Sequence, residues 1–265
     1  MKTLMIVALS ALQLSAAVYY SKVEPVETYS IKAAASGSVV TSAREMEGSI
    51  ANGSVVVQID DVLNKEELAS SKRKLESLKI ILAANKQNLK NLEKIAQIRE
   101  GQYNRIKELK TKSQVEKDNE LTNFISAQNQ VISLSATVAN QEVQINDLLY
   151  KISSLDDTIA KKRIAPKNLL IYKLYVDEND YVNMGASLVD AYDVSRGKLT
   201  LFLSAEDAKD AKQKVIYLDG KPTDLKIAKL WSVADTQNIS SYRCEIIIPA
   251  PKTFSKLMQV ELKAQ

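Results

Sequence analysis

Residues 65–161 contain no proline and a single glycine, Gly101. Apolar residues recur through this stretch at a helical period, which sets it apart from any strand or loop. In its second half Phe124, Val131, Val138, Ile145, Ile152 and Ile159 fall seven apart. Ala127, Leu134, Gln141, Leu148 and Leu155 follow three residues after the first five. That is the a/d heptad pattern of a coiled-coil seam. In the first half Leu68, Leu75, Leu82, Leu89, Ala96 and Tyr103 keep the same period. Their companions are mixed: Leu78, Leu92 and Ile106 are apolar, Asn85 and Arg99 are not. The register breaks in the polar patch 111–117. The pattern predicts two antiparallel helices of roughly 45 residues, each roughly 65–70 Å long at 1.5 Å per residue. A tight turn joins them, with the tip at about residues 109–117.

Composition removes whole classes of chemistry. There is no histidine, so His-based metal sites, Ser-His-Asp triads and Cys-His pairs are excluded. Cys244 is the only cysteine, and no intrachain disulfide can form. It lies in the apolar run 243–248 and reads as a small strand residue rather than a reactive thiol. The net charge is +4 with 26% charged residues. Lys and Glu interleave along the helices, which marks a solvated face and not a nucleic-acid patch. No aromatic cluster offers a base-stacking platform. No cofactor, metal site or nucleic-acid partner is expected, and Met46, Met184 and Met258 read as core filler.

Residues 1–17 read as a secretory signal peptide: Lys2, an apolar core over 4–14, then Ser15, Ala16 and Ala17 for cleavage. The rival is an uncleaved inner-membrane anchor, for which the apolar run falls short of the about 20 residues of a comfortable span. Residues 18–25 are a linker or short strand. Three strands are expected near 29–33, 37–42 and 55–59, with glycine turns between them. After the helices the chain returns to similar material. The segment 50–56 matches 182–188, and 34–39 matches 165–170. This is a duplicated β unit, too small to bury a core alone. Pairing the copies makes a two-fold β sandwich with the helical hairpin inserted between its halves. Asn168 stands where the first copy has Gly37, and Asn accepts a left-handed backbone. Residues beyond about 194 give a third unit with strands at 198–205, 215–218, 225–230, 242–248 and 257–262 and a short helix at 205–214. A small β-barrel is the expected form, with Trp231 capping its core.

This layout resembles the membrane fusion proteins, the HlyD-like periplasmic adaptors of tripartite efflux pumps and type I secretion systems. The residues carrying the likeness are Ser36, Gly37, Ser38 and Val39 with 50–53 in the first half, and Ile164, Ala165 and Pro166 with 179–185 in the second. In the family the second half reads R-A-P, a Gly turn, then G-D-x-V-x-x-G; here Asn168 and Asn179 replace glycines, and Gly48 is displaced by one position relative to Asn179. The resemblance implies an α+β chain of several domains. Residues 1–17 are a signal peptide, 18–61 the N-terminal half of a lipoyl-like β sandwich, 62–161 the long antiparallel coiled-coil hairpin, 162–194 the second lipoyl-like half, and 195–265 a small β-barrel. Gly37, Gly53, Asn168, Asn179 and Gly185 are the expected lipoyl-like turn residues. The run Glu45, Met46, Glu47 has no lysine, so no lipoyl or biotinyl group can be carried there.

Family members that dock on TolC-like channels carry an Arg, a Leu four residues on and a Ser seven beyond that. Here Arg105 and Leu109 hold the spacing, Glu116 occupies the third position, and Ser113 lies close by. The resemblance implies a non-catalytic adaptor in the periplasm of a Gram-negative bacterium, cleaved free or held at the inner membrane. Its partners would be an inner-membrane transporter, ABC or proton-driven, a TolC-like outer-membrane channel, and copies of itself in a ring, six by family expectation. The alternative is a secreted structural coiled coil with no transporter.

Overall fold

The computed structural model describes residues 17–263. The expected signal peptide, Ala17 apart, lies outside the described residues. In chain order the elements are β1 (Val18–Lys22), β2 (Glu24–Lys32), β3 (Gly37–Ser42), a 3-10 turn (Arg44–Met46), β4 (Ile50–Asn52), β5 (Val57–Ile59), α1 (Val62–Ile106), α2 (Gln114–Lys161), β6 (Arg163–Ile164), β7 (Lys167–Leu174), β8 (Tyr181–Val182), β9 (Ser187–Ser204), α3 (Ala205–Asp210), a second 3-10 turn (Ala211–Gln213), β10 (Val215–Leu218), β11 (Lys221–Pro222), β12 (Ile227–Leu230), β13 (Ser241–Pro249) and β14 (Leu257–Lys263). One sheet orders β1-β14-β10-β11; a second runs β12-β13-β9-β7-β4, with β2 also on β9; a third runs β6-β5-β3-β8. The chain divides into a helical unit, Ala34–Ser38 with Gln58–Arg163, and a β unit made of the rest.

In the helical unit α1 has 45 residues and α2 has 48. Every a and d residue read from the sequence is buried or half-buried, while most positions between them are exposed. Leu75 and Leu155 are buried in the half near the helix roots, Ala127 in the half near the tip and Val138 at the middle of α2. Two of the three polar seam residues meet: the Asn85 amide donates to Gln141 Oε1 at 3.0 Å. At the root, Lys162 Nζ donates to Asn64 Oδ1 and to the Asp60 carbonyl, both at 2.7 Å. Asn64 to Asn85 and Gln141 to Lys162 are equal steps along the two helices, so both pairs report one register. Lys86–Glu142 at 2.6 Å and Lys151–Glu67 at 2.7 Å add exposed ion pairs across the seam. Such exposed pairs are worth about 0.2–1 kcal/mol each. Gly37 sits in this unit's N-terminal segment, where a Cβ would come within 2.7 Å of Ile59 Cγ2. No described helix is long and apolar enough to cross a membrane.

In the β unit the two copies pair reciprocally. The Asn179 N–H donates to the Val39 carbonyl and the Val39 N–H to the Asp180 carbonyl, each at 2.8 Å. In the mirrored place the Gly48 N–H donates to the Ile171 carbonyl at 2.8 Å, and the Ile171 N–H to Ser49 at 2.9 Å. Gly53 donates to Pro166 and Gly185 to Ala33, both at 2.8 Å. Each copy thus supplies what the other lacks, and Val39 and Ile171 are buried between them. Asn168 and Asn179 adopt φ of 56° and 72°, so the left-handed turns survive the loss of glycine. Glu47, in the lysine-free run 45–47, accepts the Leu174 N–H at 2.7 Å, and Arg44 beside it pairs with Asp177.

The C-terminal part of the β unit has its own core. Leu199, Leu201 and Leu203 alternate inward on β9, facing Cys244, Ile246 and Ile248 of β13 and Val260 and Leu262 of β14. The Cys244 thiol is wholly buried, which pushes its pKa up to about 12 and keeps it protonated. The boundary expected after residue 194 falls inside β9, an 18-residue strand whose ladder partners change there, β7 pairing up to Tyr192 and β13 from Arg196. Of the two readings of residues 18–25, the short strand holds and the linker does not: β1 pairs along β14 from Val18↔Glu261 to Lys22↔Leu257. Strand β4 escaped the sequence reading because its three residues sit between Gly48 and Gly53, which mimic one long turn. Trp231 does not cap this core, because it lies just past the end of β12, half-buried beneath Lys229 and Arg243. Met184 is exposed rather than core filler.

The Tyr19 hydroxyl donates to Asp207 Oδ2 at 2.6 Å, and Lys214 and Ser204 bond the same carboxylate. Burial first, then this hydrogen bond, pushes the Tyr19 pKa from 10.0 up to about 12. The Tyr19 bond, with Lys214 and Ser204, holds Asp207 below the usual carboxylate range. Below pH 10 the phenol is protonated in folded and unfolded chain alike. Between the two values only the folded chain keeps the proton, so this contribution falls as pH rises through about 12. Tyr19→Phe should flatten the fall in stability over that window, measured by denaturant unfolding at stepped pH. In the helical unit, Asn85→Leu alone leaves the Gln141 amide unpaired and should cost about 1 kcal/mol. Asn85→Leu with Gln141→Leu should recover that loss or exceed the parent in thermal melts.

Candidate functional site at the hairpin tip

Helix α1 ends at Ile106 because the next residues, 107–112, offer no apolar seam position to pack. The Lys107 N–H still bonds the Tyr103 carbonyl, and the Leu109 N–H bonds Ile106, each at 3.0 Å, so the last turn tightens before the chain reverses. Helix α2 starts on a capping box. Ser113, with extended backbone at ψ 157°, accepts the Glu116 N–H on its hydroxyl at 3.2 Å. Glu116 reaches back and accepts the Ser113 N–H at 2.9 Å. Lys112 Nζ lies 3.0 Å from the other Glu116 oxygen. The Ser113 backbone bond, then Lys112 and the Ser113 hydroxyl, hold the Glu116 carboxyl below the usual range.

The four tip residues expected from the sequence therefore divide into two kinds. Ser113 and Glu116 bond each other and fix the geometry of the turn. Arg105 is exposed and, among the described residues, makes no ion pair or hydrogen bond. Leu109 is 44% exposed at the turn, a large apolar side chain without a core. Val115, one residue into the α2 helix, is 68% exposed and joins it as a second apolar projection. Arg105 and Glu116 share a groove of about 340 Å³ with Gln102, Ile106, Lys112 and Glu120. Leu109 and Ser113 do not line it.

Glu120 and Lys112 were missed by the sequence reading. A signal for Glu120 was present, since stepping the heptad back from Phe124 and Ala127 lands on Lys117 and Glu120. The seam thus turns from apolar to charged in its final turn. Glu120 Oε2 is shielded and has no hydrogen-bond partner. The tip combines a capped turn with exposed cations, Arg105 beside Lys107 and Lys110, and two exposed apolar side chains, Leu109 and Val115. Among the described residues no cluster of acidic or sulfur side chains could hold a metal ion.

The expected turn residues of the β halves, Gly37, Gly53, Asn168, Asn179 and Gly185, do not gather into a site. They are spread over the turns described above, where they serve backbone pairing and close approach.

No protein-family model matches the sequence, and no curated protein does so. Solved structures do match. The membrane fusion protein Spr0693 from Streptococcus pneumoniae R6 superposes with a TM-score of 0.64 at 9% identity, covering 94% of this chain and 99% of that one. MacA from Actinobacillus actinomycetemcomitans gives 0.62 at 14%, covering 93% and 78%. A MacA-MexA chimera containing the Pseudomonas aeruginosa MexA α-hairpin domain gives 0.58 at 14%, covering 94% and 81%. At these identities the likeness is one of fold, and the fold is that of the membrane fusion proteins.

The capping box makes a specific prediction. Ser113→Ala removes the N-cap and should lower stability by about 1 kcal/mol. The loss should be local, read as faster amide hydrogen exchange over residues 114–118 with exchange around Asn85 and Gln141 unchanged.

Proposed function

We propose, from this fold, that the chain is a non-catalytic periplasmic adaptor linking an inner-membrane transporter to a TolC-like outer-membrane channel for efflux or secretion. The observation that carries the reading is the hairpin tip. It sets an unpaired Arg105 and an exposed Leu109 at the end of two helices each roughly 70 Å long. Leu109 enters a groove between channel helices, and the Arg105 guanidinium takes backbone carbonyls or a carboxylate there. Glu116 does not replace the usual Ser as a contact; it holds the turn so that those two side chains project.

The split β sandwich, read as lipoyl-like, supplies the body of the adaptor. Its reciprocal pairing of Val39 and Ile171 supports that reading, and the missing lysine removes carrier chemistry. The C-terminal β-barrel lies toward the transporter. Copies assemble in a ring, six by family expectation, in the periplasm of a Gram-negative bacterium. The N-terminal segment directs export. The work of such a protein is geometric: it seals and couples, and the lack of histidine fits a chain that breaks no bonds.

In-cell photo-crosslinking tests this. A probe at Leu109 should form an adduct with an outer-membrane channel, and one at Leu78, half-buried in the seam, should not. Self-adducts alone from Leu109, in folded and exported protein, would sink the docking role and leave the secreted structural coiled coil. Arg105→Glu should abolish the channel adduct while leaving the thermal melt unchanged.

A further inference from the structure

We propose that the surface groove beside Trp231 binds a small amphiphilic anion, an aliphatic or aromatic body bearing one carboxylate or sulfonate. The groove lies between α3 with its following 3-10 turn and the ends of β12 and β13. Its volume is about 430 Å³, within the roughly 300–1,000 Å³ of small-molecule sites. Ala208, Leu230, Trp231 and Tyr242 form an apolar wall, and Lys209 and Lys212 stand on the rim.

The helix spacing sorts the charges. Ala205, Ala208 and Lys209 stand at the i, i+3 and i+4 positions that share one face of α3, Lys212 follows in the 3-10 turn, and all four line the groove. Glu206, Asp207 and Asp210 do not line it. Asp207 is already engaged by Tyr19, Ser204 and Lys214. Among the described residues Lys209 and Lys212 make no ion pair, in contrast to Lys214, which lies 2.9 Å from Asp207. Lys229 Nζ and the Arg243 guanidinium stack 4.2 and 4.8 Å from the Trp231 ring. Arg243 is paired with Glu245, but its shielded Nε has no hydrogen-bond partner.

An apolar wall, a rim of uncompensated lysines and no lining carboxylate select a ligand with matching halves. The apolar body displaces water from Ala208, Leu230 and the indole. The anionic head meets the lysine amines in a setting where no acid competes. The surface is concave and local, which suits a single free molecule rather than a membrane plane. This inference uses residues of the C-terminal region alone and does not rest on the adaptor reading.

Trp231 is the only tryptophan, so all tryptophan emission arises at this groove. The full chain is titrated with anilinonaphthalene sulfonate, and then the bound probe is competed with decanoate below its micelle concentration. Saturable energy transfer from Trp231 with one site, reversed by decanoate and not by neutral decanol, is expected. Lys209→Glu with Lys212→Glu, both exposed, should weaken decanoate by about tenfold or more with an unchanged circular dichroism spectrum. Equal competition by decanol, or an unchanged double variant, overturns the anion selectivity. A Trp231 response to phosphatidylglycerol vesicles but not to monomeric decanoate overturns the free ligand in favour of a lipid surface. Since the readout is the isolated protein, its failure is distinct from any failure of Leu109 to reach a channel.

Discussion

Two helices leave the β strands and must bring the chain back to where it departed, so the register of their seam governs everything after it. The apolar a and d residues supply most of the attraction, but they repeat every seven residues. A slip of one heptad would bury nearly the same surface. Exposed ion pairs such as Lys86–Glu142 are too weak to forbid it. The polar pair Asn85–Gln141 is not periodic, and a slip would leave two shielded amides without partners. It therefore selects the register that the leucines stabilise but cannot choose. Asn64 and Lys162 repeat the selection at the root.

That register has a direct product. With the helices returned in phase, the Ile59 N–H finds the Lys162 carbonyl at 2.9 Å, and within the β unit the Val56 N–H finds Ile164 at 2.8 Å. The two β copies then start side by side and can exchange the hydrogen bonds that neither can make alone. Loop-closure entropy grows only slowly with the length of the insertion, and a stiff hairpin reduces it further. A duplicated unit can therefore tolerate so long an interruption.

Much of this was legible in the residues. The seam was read residue by residue, because heptad burial is a local, repeating constraint. The duplication was legible through the spacing of its turns, and the left-handed Asn168 followed from side-chain chemistry. Strand β1 was less legible, because its partner β14 lies at the far end of the chain and pairing at that distance leaves no local trace. Strand β4 was hidden by the glycines on either side. At the tip, Arg105 and Leu109 could be named, but the role of Glu116 needed the geometry of the cap. Trp231 was misjudged because aromaticity suggests burial, while its neighbours Lys229 and Arg243 could cover it only at a surface.

Strand β9 pairs with β7 and β2 along its first half and with β13 along its second, from Ser187 to Ser204. Between the two halves the pairing lapses: the β7 ladder stops at Tyr192, the β13 ladder starts at Arg196, and the β2 ladder shifts register between Asp193 and Gly197. In these ladders Val194 and Ser195 have no partner. The strand is in effect two beams joined by a short sleeve. A twist applied to the strands around Leu201 meets this joint before it reaches those around Val189. A protein built this way keeps both β regions on one unbroken chain and places its give at the seam between them.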